Sequence, residues 1–143
     1  MNTIIVYTSM TGNTEFMAQT IANELMMQGD HVEIKDALDA YADELKDYDR
    51  ILIGSYTWGD GDLPDEILDF YDELEDTDLI GKAAASFGSG DSSYDHFARA
   101  VDIFEQKLQE QGCIITVKGL KADMDSEEVM KAKCREFCEA LSV

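Results

Sequence analysis

Positive charge is what this chain has least of. Eleven Lys and Arg stand against 31 Asp and Glu in 143 residues, a formal net charge of −20. Such a surface repels polyanions, which excludes nucleic acid and anionic membrane surfaces as partners and favours basic protein surfaces. The plainer account of the same acidity is solubility. No apolar run approaches the ~18 residues that a membrane span needs. No basic stretch followed by an apolar core opens the chain, so no secretory leader is expected. Cysteine is scarce, at three, and odd in number; this points to a reducing cytoplasm rather than a disulfide framework. Cys134 and Cys138 lie four apart on an apolar helical face and read as packing, as does Cys113. His31 and His96 have no second ligand at useful spacing, so no metal site is expected. The length and the 45% hydrophobic fraction are those of an ordinary globular protein with a substantial core, and a single domain over 1–143 is expected.

What is present begins with Ile4, Ile5, Val6 and Tyr7, an unbroken apolar run with no period of two. A turn of small and hydroxyl-bearing residues, 8 to 14, follows it. Behind the turn, Ala18, Ile21, Ala22, Leu25 and Met26 recur at helical spacing. The order is buried strand, hydroxyl-rich turn, amphipathic helix. A helix N-terminus offers free backbone N–H groups and a partial positive charge, and both suit an anion. Ser and Thr at a helix start are usually plain caps. Here Thr8, Ser9, Thr11 and Thr14 supply more hydroxyls than one helix start uses, and Gly12 lets the backbone approach a ligand. The turn holds no Lys or Arg, no Gly-Lys-Ser/Thr ending and no G-x-G-x-x-G, so it is neither a nucleoside-triphosphate loop nor a dinucleotide fingerprint. It reads as a phosphate site that lacks a positive counter-charge.

Along the rest of the chain, Gly29 stops the first helix and Val32 to Lys35 alternate as a short edge strand. Residues 36 to 49 read as loop plus a short helix. Arg50 to Gly54 form a buried strand. The loop that follows carries the only Trp, Trp58, beside Gly59 and Gly61. Pro64 suits a first helical turn, and Ile67, Phe70, Tyr71 and Leu74 make that helix's inner face. From 60 to 78 there is no Lys or Arg. Lys82 to Gly88 is a strand of small residues suited to the middle of a sheet. A third loop runs from Ser89 to His96. Phe97, Ala100, Val101, Phe104 and Leu108 face inward on the next helix, closed by Gly112. Cys113 to Val117 is the last strand, and Met130, Cys134, Phe137, Cys138 and Leu141 mark the last helix.

Strands alternating with helices at about 30-residue spacing indicate a parallel sheet covered on both faces. Ligands then bind beyond the carboxyl ends of the strands. Loops after the first, third and fourth strands open at that one edge. The first offers a phosphate cradle; the others each offer a large aromatic, Trp58 and Tyr94, able to flank a flat ring. Together they describe a mononucleotide-like cofactor.

Ser9-Met10-Thr11-Gly12-Asn13-Thr14 resembles the phosphate loop of flavodoxins. Thr57-Trp58-Gly59-Asp60 and Phe87-Gly88-Ser89-Gly90-Asp91-Ser92-Ser93-Tyr94 resemble that family's two isoalloxazine loops. The resemblance covers essentially the whole chain, and the lack of a long insertion in the last strand is similar to the short-chain subclass. It implies a flavodoxin-like three-layer α/β sandwich, a five-stranded parallel sheet of order 2-1-3-4-5 with helices on both faces. It implies non-covalently bound FMN and an electron-transfer protein rather than an enzyme. Such a protein is a low-potential one-electron carrier, moving between oxidised, neutral semiquinone and hydroquinone states and linking a reductase to acceptor redox enzymes.

By the same resemblance, Ser9, Thr11, Asn13 and Thr14, with the backbone of Met10 and Gly12, hold the phosphate. Trp58 and Tyr94 cover the two flavin faces. Gly59 lies beside the flavin N5, where the following peptide reorients on one-electron reduction. Backbone near Asp91 meets the pyrimidine end. Ser55, Tyr56, Thr57, Asp60 and Gly61, with Ser86, Phe87, Gly88 and Phe97, complete the expected cofactor site. A site without a nearby cation disfavours the extra negative charge of full reduction. The implied partners are basic-surfaced redox proteins, a flavodoxin/ferredoxin-NADP reductase and electron-accepting enzymes, met by a cytoplasmic monomer. A signalling receiver of the same fold needs an acidic pair and an acceptor Asp where this chain has Thr8-Ser9 and Ser55-Tyr56. A small flavin-dependent quinone reductase generally carries added substrate loops or an oligomer interface. A flavodoxin-like activator of ribonucleotide reductase is the closer alternative.

Overall fold

Residues 1–123 and 125–141 are described by the computed structural model. Its sheet is built on β1 (Asn2–Thr8), whose Ile4, Ile5 and Val6 are fully buried. A strand covered on both faces has no polar side to show, hence the unbroken apolar run. The order β2-β1-β3-β4-β5 takes in β2 (His31–Asp36), β3 (Arg50–Ser55), β4 (Ala83–Ser89) and β5 (Ile114–Ile115), every pairing parallel. Parallel neighbours need long crossovers. Three are made by α1 (Asn13–Met27), α2 (Asp65–Leu74) and α3 (Arg99–Glu110), and α4 (Glu127–Leu141) closes the chain.

Side chains alternate between the faces of a strand, and two cores result. Ile4, Val6, Ile51 and Ile53 pack with Ile67, Phe70 and Phe104 of α2 and α3. Ile5, Leu52, Ala85 and Phe87 pack with Met17, Ile21, Met130 and Cys134 of α1 and α4. Close contact explains the small residues of the central strands. A Cβ on Gly54 would lie 2.3 Å from the Phe87 ring, and one on Gly88 would lie 2.0 Å from the Ser55 carbonyl oxygen.

Three local expectations change. The last strand is not continuous over 113–117: β5 is short, and a second piece, β6 (Leu120–Ala122), resumes the pairing with β4 further along. Between them Gly119 passes so close to α3 that a Cβ there would sit 2.4 Å from Val101 Cγ1. Met26 is exposed at 48%, and Met17 takes the buried place on α1 instead. Residues 36–49 hold two short 3-10 helices, Ala37–Asp39 and Ala42–Asp47, which lie against α2.

The foot of the sheet, away from the loops of interest, is pinned electrostatically. Asp30 pairs with the buried Arg50 guanidinium at 3.0 Å and with the N-terminal ammonium at 3.7 Å. Arg50 Nη2 also donates to the Leu141 carbonyl at 3.4 Å. The three cysteines are buried and form no disulfide with one another. Burial pushes the Cys113 thiol up to about 11, and the Cys134 and Cys138 thiols up to about 12. No helix among the described residues is long and apolar enough to cross a membrane.

Candidate functional site

The carboxyl ends of β1, β3 and β4 open on one cleft of about 540 Å³, a volume ordinary for a small-molecule site. Its walls come from the three loops that follow these strands, and each loop is shaped by local chemistry.

The first loop leads into α1. Gly12 is the N-cap in a left-handed conformation, φ 95°, and no side chain caps the helix. The Gly12 N–H donates to Ser9 Oγ at 3.2 Å and its carbonyl accepts from Phe16 N–H at 2.9 Å. Nothing stands within 4 Å of a Cβ built on Gly12, so its backbone angle, not lack of space, requires glycine there. Met10, Thr11 and Asn13 line the cleft. Amides of an uncapped first turn beside a hydroxyl and a carboxamide are donors without a full positive charge, which is the chemistry a phosphate can use. Thr14 is fully buried behind them, its hydroxyl 2.8 Å from that of Ser89. Ser9 Oγ acts as an acceptor within the loop, which leaves its O–H as a donor.

The second loop closes on itself. Trp58 and Asp62 exchange both backbone hydrogen bonds, at 2.8 and 2.9 Å. The tight ladder is possible because Gly59 (φ 54°) and Gly61 (φ 106°) take left-handed angles. Tyr56, Thr57, Trp58 and Gly59 line the cleft. Thr57 Oγ1 accepts from Ala100 N–H at 3.0 Å and fixes the loop to α3. Tyr56 donates its hydroxyl to Glu66 Oε2 at 2.9 Å, fixing the loop to α2. Burial, and then that hydrogen bond, push the Tyr56 phenol up to about 12. Asp60 is exposed on the rim, and Ser55 is buried with its hydroxyl turned to the Tyr56 carbonyl.

The third loop supplies Ser89, Gly90, Asp91, Tyr94, His96 and Ala98. Trp58 and Tyr94 are 55% and 56% exposed, and both line this cleft. Large aromatics left in water beside a cavity are surfaces in want of a partner. Ala98 takes a left-handed φ of 49° at 2% exposure, and a Cβ on Gly90 would lie 2.9 Å from the Ala98 nitrogen. Backbone and backbone meet there without room for a side chain.

Ser86, Phe87, Gly88, Gly61 and Phe97 do not line the cleft. Ser86 is buried and donates to the Val101 carbonyl at 2.8 Å, while Phe87 belongs to the core under α1 and α4. Phe97 lies beneath the Lys121 ammonium, 6.0 Å from its ring centre. Gly61 is pressed between His96 and Arg99, each 3.0 Å from where its Cβ would be. The second loop therefore has a cation behind it, although neither Gly61 nor Arg99 lines the cleft. Arg99 arrives from the start of α3, far along the chain. Ser89, Gly90, His96 and Ala98 are walls of the cleft that the expected site does not include. Ser89 and Gly90 fall inside the third motif and were legible there; His96 and Ala98 carry no signal of their own.

The cleft thus brings together an uncapped helix start with uncharged donors and two exposed aromatics, surfaces that a flat ring with a phosphate tail can use. The family model described as flavodoxin matches residues 5–137. The chain is similar to probable flavodoxin 2 of Bacillus subtilis strain 168, 43% identical over 127 residues, covering 87% of this chain and 83% of that one. It is similar to the flavodoxin of Maridesulfovibrio salexigens, 42% identical over 127 residues and 87% of each chain. The crystal structure of oxidised flavodoxin 1 from Bacillus cereus superposes with a TM-score of 0.95 at 43% identity, over 99% of this chain and 97% of that one.

Proposed function

The chain belongs to the flavodoxin family, and from that membership we propose a low-potential carrier of single electrons whose FMN lies across the three loops of the cleft. That it is an FMN-binding electron carrier of the short-chain type, and an electron-transfer protein rather than an enzyme, follows from its relatives. When bound, FMN supplies reversible one-electron redox chemistry.

The observation that carries the assignment of the site is a combination found on one cleft. Thr11 and Asn13, at the uncapped start of α1, share its walls with the exposed Trp58 and Tyr94. The α1 amides bind the phosphate. Trp58 and Tyr94 exclude water from the ring faces. Gly59, already at φ 54°, presents backbone to the ring edge and can change its peptide orientation at low cost. Asp91 and Gly90 offer backbone to the far edge. Acidic side chains at the rim, Asp60, Asp62 and Glu66 among them, disfavour further negative charge in the cleft, and Arg99 moderates that effect without cancelling a net −20.

Redox partners with basic surfaces, a reductase on one side and acceptor enzymes on the other, suit the outer face of α2, whose side chains there are acidic. A monomer of one domain in the cytoplasm fits the same picture. Neither a quinone reductase nor a ribonucleotide reductase activator is favoured over the carrier. The experiment is a titration of FMN-free protein with FMN, followed by stepwise reduction with recorded potentials. Stoichiometric binding, a yellow protein and two resolved one-electron steps are expected. A single two-electron step removes the carrier reading.

A further inference from the structure

The turn that carries Tyr94 has little of its own to hold it. Ser92, Ser93 and Tyr94 are all exposed. Inside the turn, Ser93 N–H donates to Asp91 Oδ1 at 2.9 Å and Tyr94 N–H to the Asp91 carbonyl at 3.1 Å. These bonds fix its shape but not its place relative to the cleft.

Its place is set from outside, by a residue that is not a wall of the cleft. Asp123 follows β6 and accepts twice from Ser92. Its Oδ1 takes the backbone N–H at 3.0 Å, and its Oδ2 takes the hydroxyl. The Asp123 N–H in turn donates to Asp125 Oδ2 at 3.2 Å, and that same oxygen accepts from Lys133 of α4 at 2.6 Å. One residue before the turn, Gly90 N–H donates to the Ala122 carbonyl at 2.9 Å. The turn is thus suspended from Ala122 and Asp123, and Asp123 is tied through Asp125 to Lys133 of α4. Two acceptor oxygens on one carboxylate fix both position and orientation of Ser92.

We propose that Asp123 is a positioning residue for the cofactor. Through Ser92 it sets where the Tyr94 ring stands, and so how well that ring covers the flavin. The inference rests on the reading of Tyr94 as a flavin-facing residue.

The test compares Asp123→Ala with Asp123→Asn. Both remove one negative charge, so any effect of the electric field alone is the same in the two. Only Asn restores the contacts, its oxygen accepting the Ser92 N–H and its NH2 donating to the Ser92 hydroxyl oxygen. Ser92→Ala removes the hydroxyl contact and keeps the carboxylate, and Tyr94→Ala removes the ring. For each variant, the Kd for FMN is measured by fluorescence quenching, and the visible circular dichroism of the bound flavin reports ring geometry. Asp123→Ala is expected to weaken FMN binding about tenfold and reduce the visible dichroism, the scale of losing hydrogen bonds to a charged group. Asp123→Asn should stay within about threefold with the dichroism retained, and Ser92→Ala should fall between. Equal changes in Asp123→Ala and Asp123→Asn overturn the proposal. So does a Tyr94→Ala effect on both readouts with Asp123→Ala or Ser92→Ala unchanged. Should Asp123→Ala fail to fold, Ser92→Ala measured against Tyr94→Ala decides the matter. If Tyr94→Ala itself changes neither readout, the assignment of Tyr94 to the flavin face fails instead.

Discussion

Thr14 and Ser89 stand 75 residues apart in sequence, and their buried hydroxyls meet at 2.8 Å. One lies in the first turn of α1 and the other ends β4, so this bond joins the loop after β1 to the loop after β4. By the family resemblance Thr14 is one of the residues that hold the phosphate. In the fold its hydroxyl also braces Ser89, and its amide lies on the first turn of α1.

Thr14→Val keeps the shape and removes the bond. The FMN-free protein should lose about 1 to 2 kcal/mol in urea unfolding, because the Ser89 hydroxyl is left buried without its partner. Ser89→Ala made in the same background should then cost less than it does in the parent protein. Strict additivity of the two changes would show that the contact does not matter.

Gly59→Ala tests the left-handed backbone on the wall of the cleft. A Cβ there would meet nothing closer than Asp62 Oδ2 at 3.8 Å, so space is not the obstacle. The conformation is, at roughly 1 kcal/mol of stability. Ala98 shows that this chain can hold an alanine at φ 49°, so the variant should fold. Its peptide will be less free to change orientation. The two one-electron potentials should therefore move closer together in a potentiometric titration, and an unaltered separation counts against a role for this peptide.

Tyr56 and Glu66 give a pH signature. The folded phenol is raised from its ordinary 10.0 to about 12, so it keeps its proton where the unfolded chain loses it. The stabilisation it brings is complete below pH 10 and drains away as pH rises through about 12. Glu66→Gln removes the carboxylate that holds the proton but not the burial. Ultraviolet titration should find Tyr56 ionising at lower pH in that variant, though still above an exposed tyrosine. An identical midpoint in both proteins would mean that the hydrogen bond does not persist in solution.

Charge governs the encounter with partners. With a net −20, the second-order rate of electron transfer to a basic-surfaced reductase should fall as the screening length shrinks from about 30 Å at 0.01 M to about 8 Å at 0.15 M salt. A rate flat across that range removes docking through the α2 face.

The elements legible in the sequence are those whose causes are local. The run at Ile4 to Tyr7 announces a strand buried on both faces, and Pro64 and Gly29 mark helix boundaries that the fold respects. The three loops converge because the alternation of strands and helices fixes which ends point the same way. What escaped depends on neighbours distant in sequence. Between the two pieces of the last strand, Gly119 passes against Val101, a contact that no pattern along the chain announces. Met26 looks apolar enough for the core, but the inward stripe of α1 runs through Met17, Ala18, Ile21, Ala22 and Leu25 and leaves it outside. Arg99 cannot be assigned to Gly61, nor Asp123 to Ser92, by any pattern along the chain.

The bare start of α1 bears on how this protein evolves. Amides are supplied by every residue type but proline, so a cradle made from them is indifferent to mutation of surface lysines and arginines. Cations can be stripped from the exterior one after another without touching the grip on an anion. A molecule can thus become as acidic as its partners demand while still retaining a doubly negative ligand.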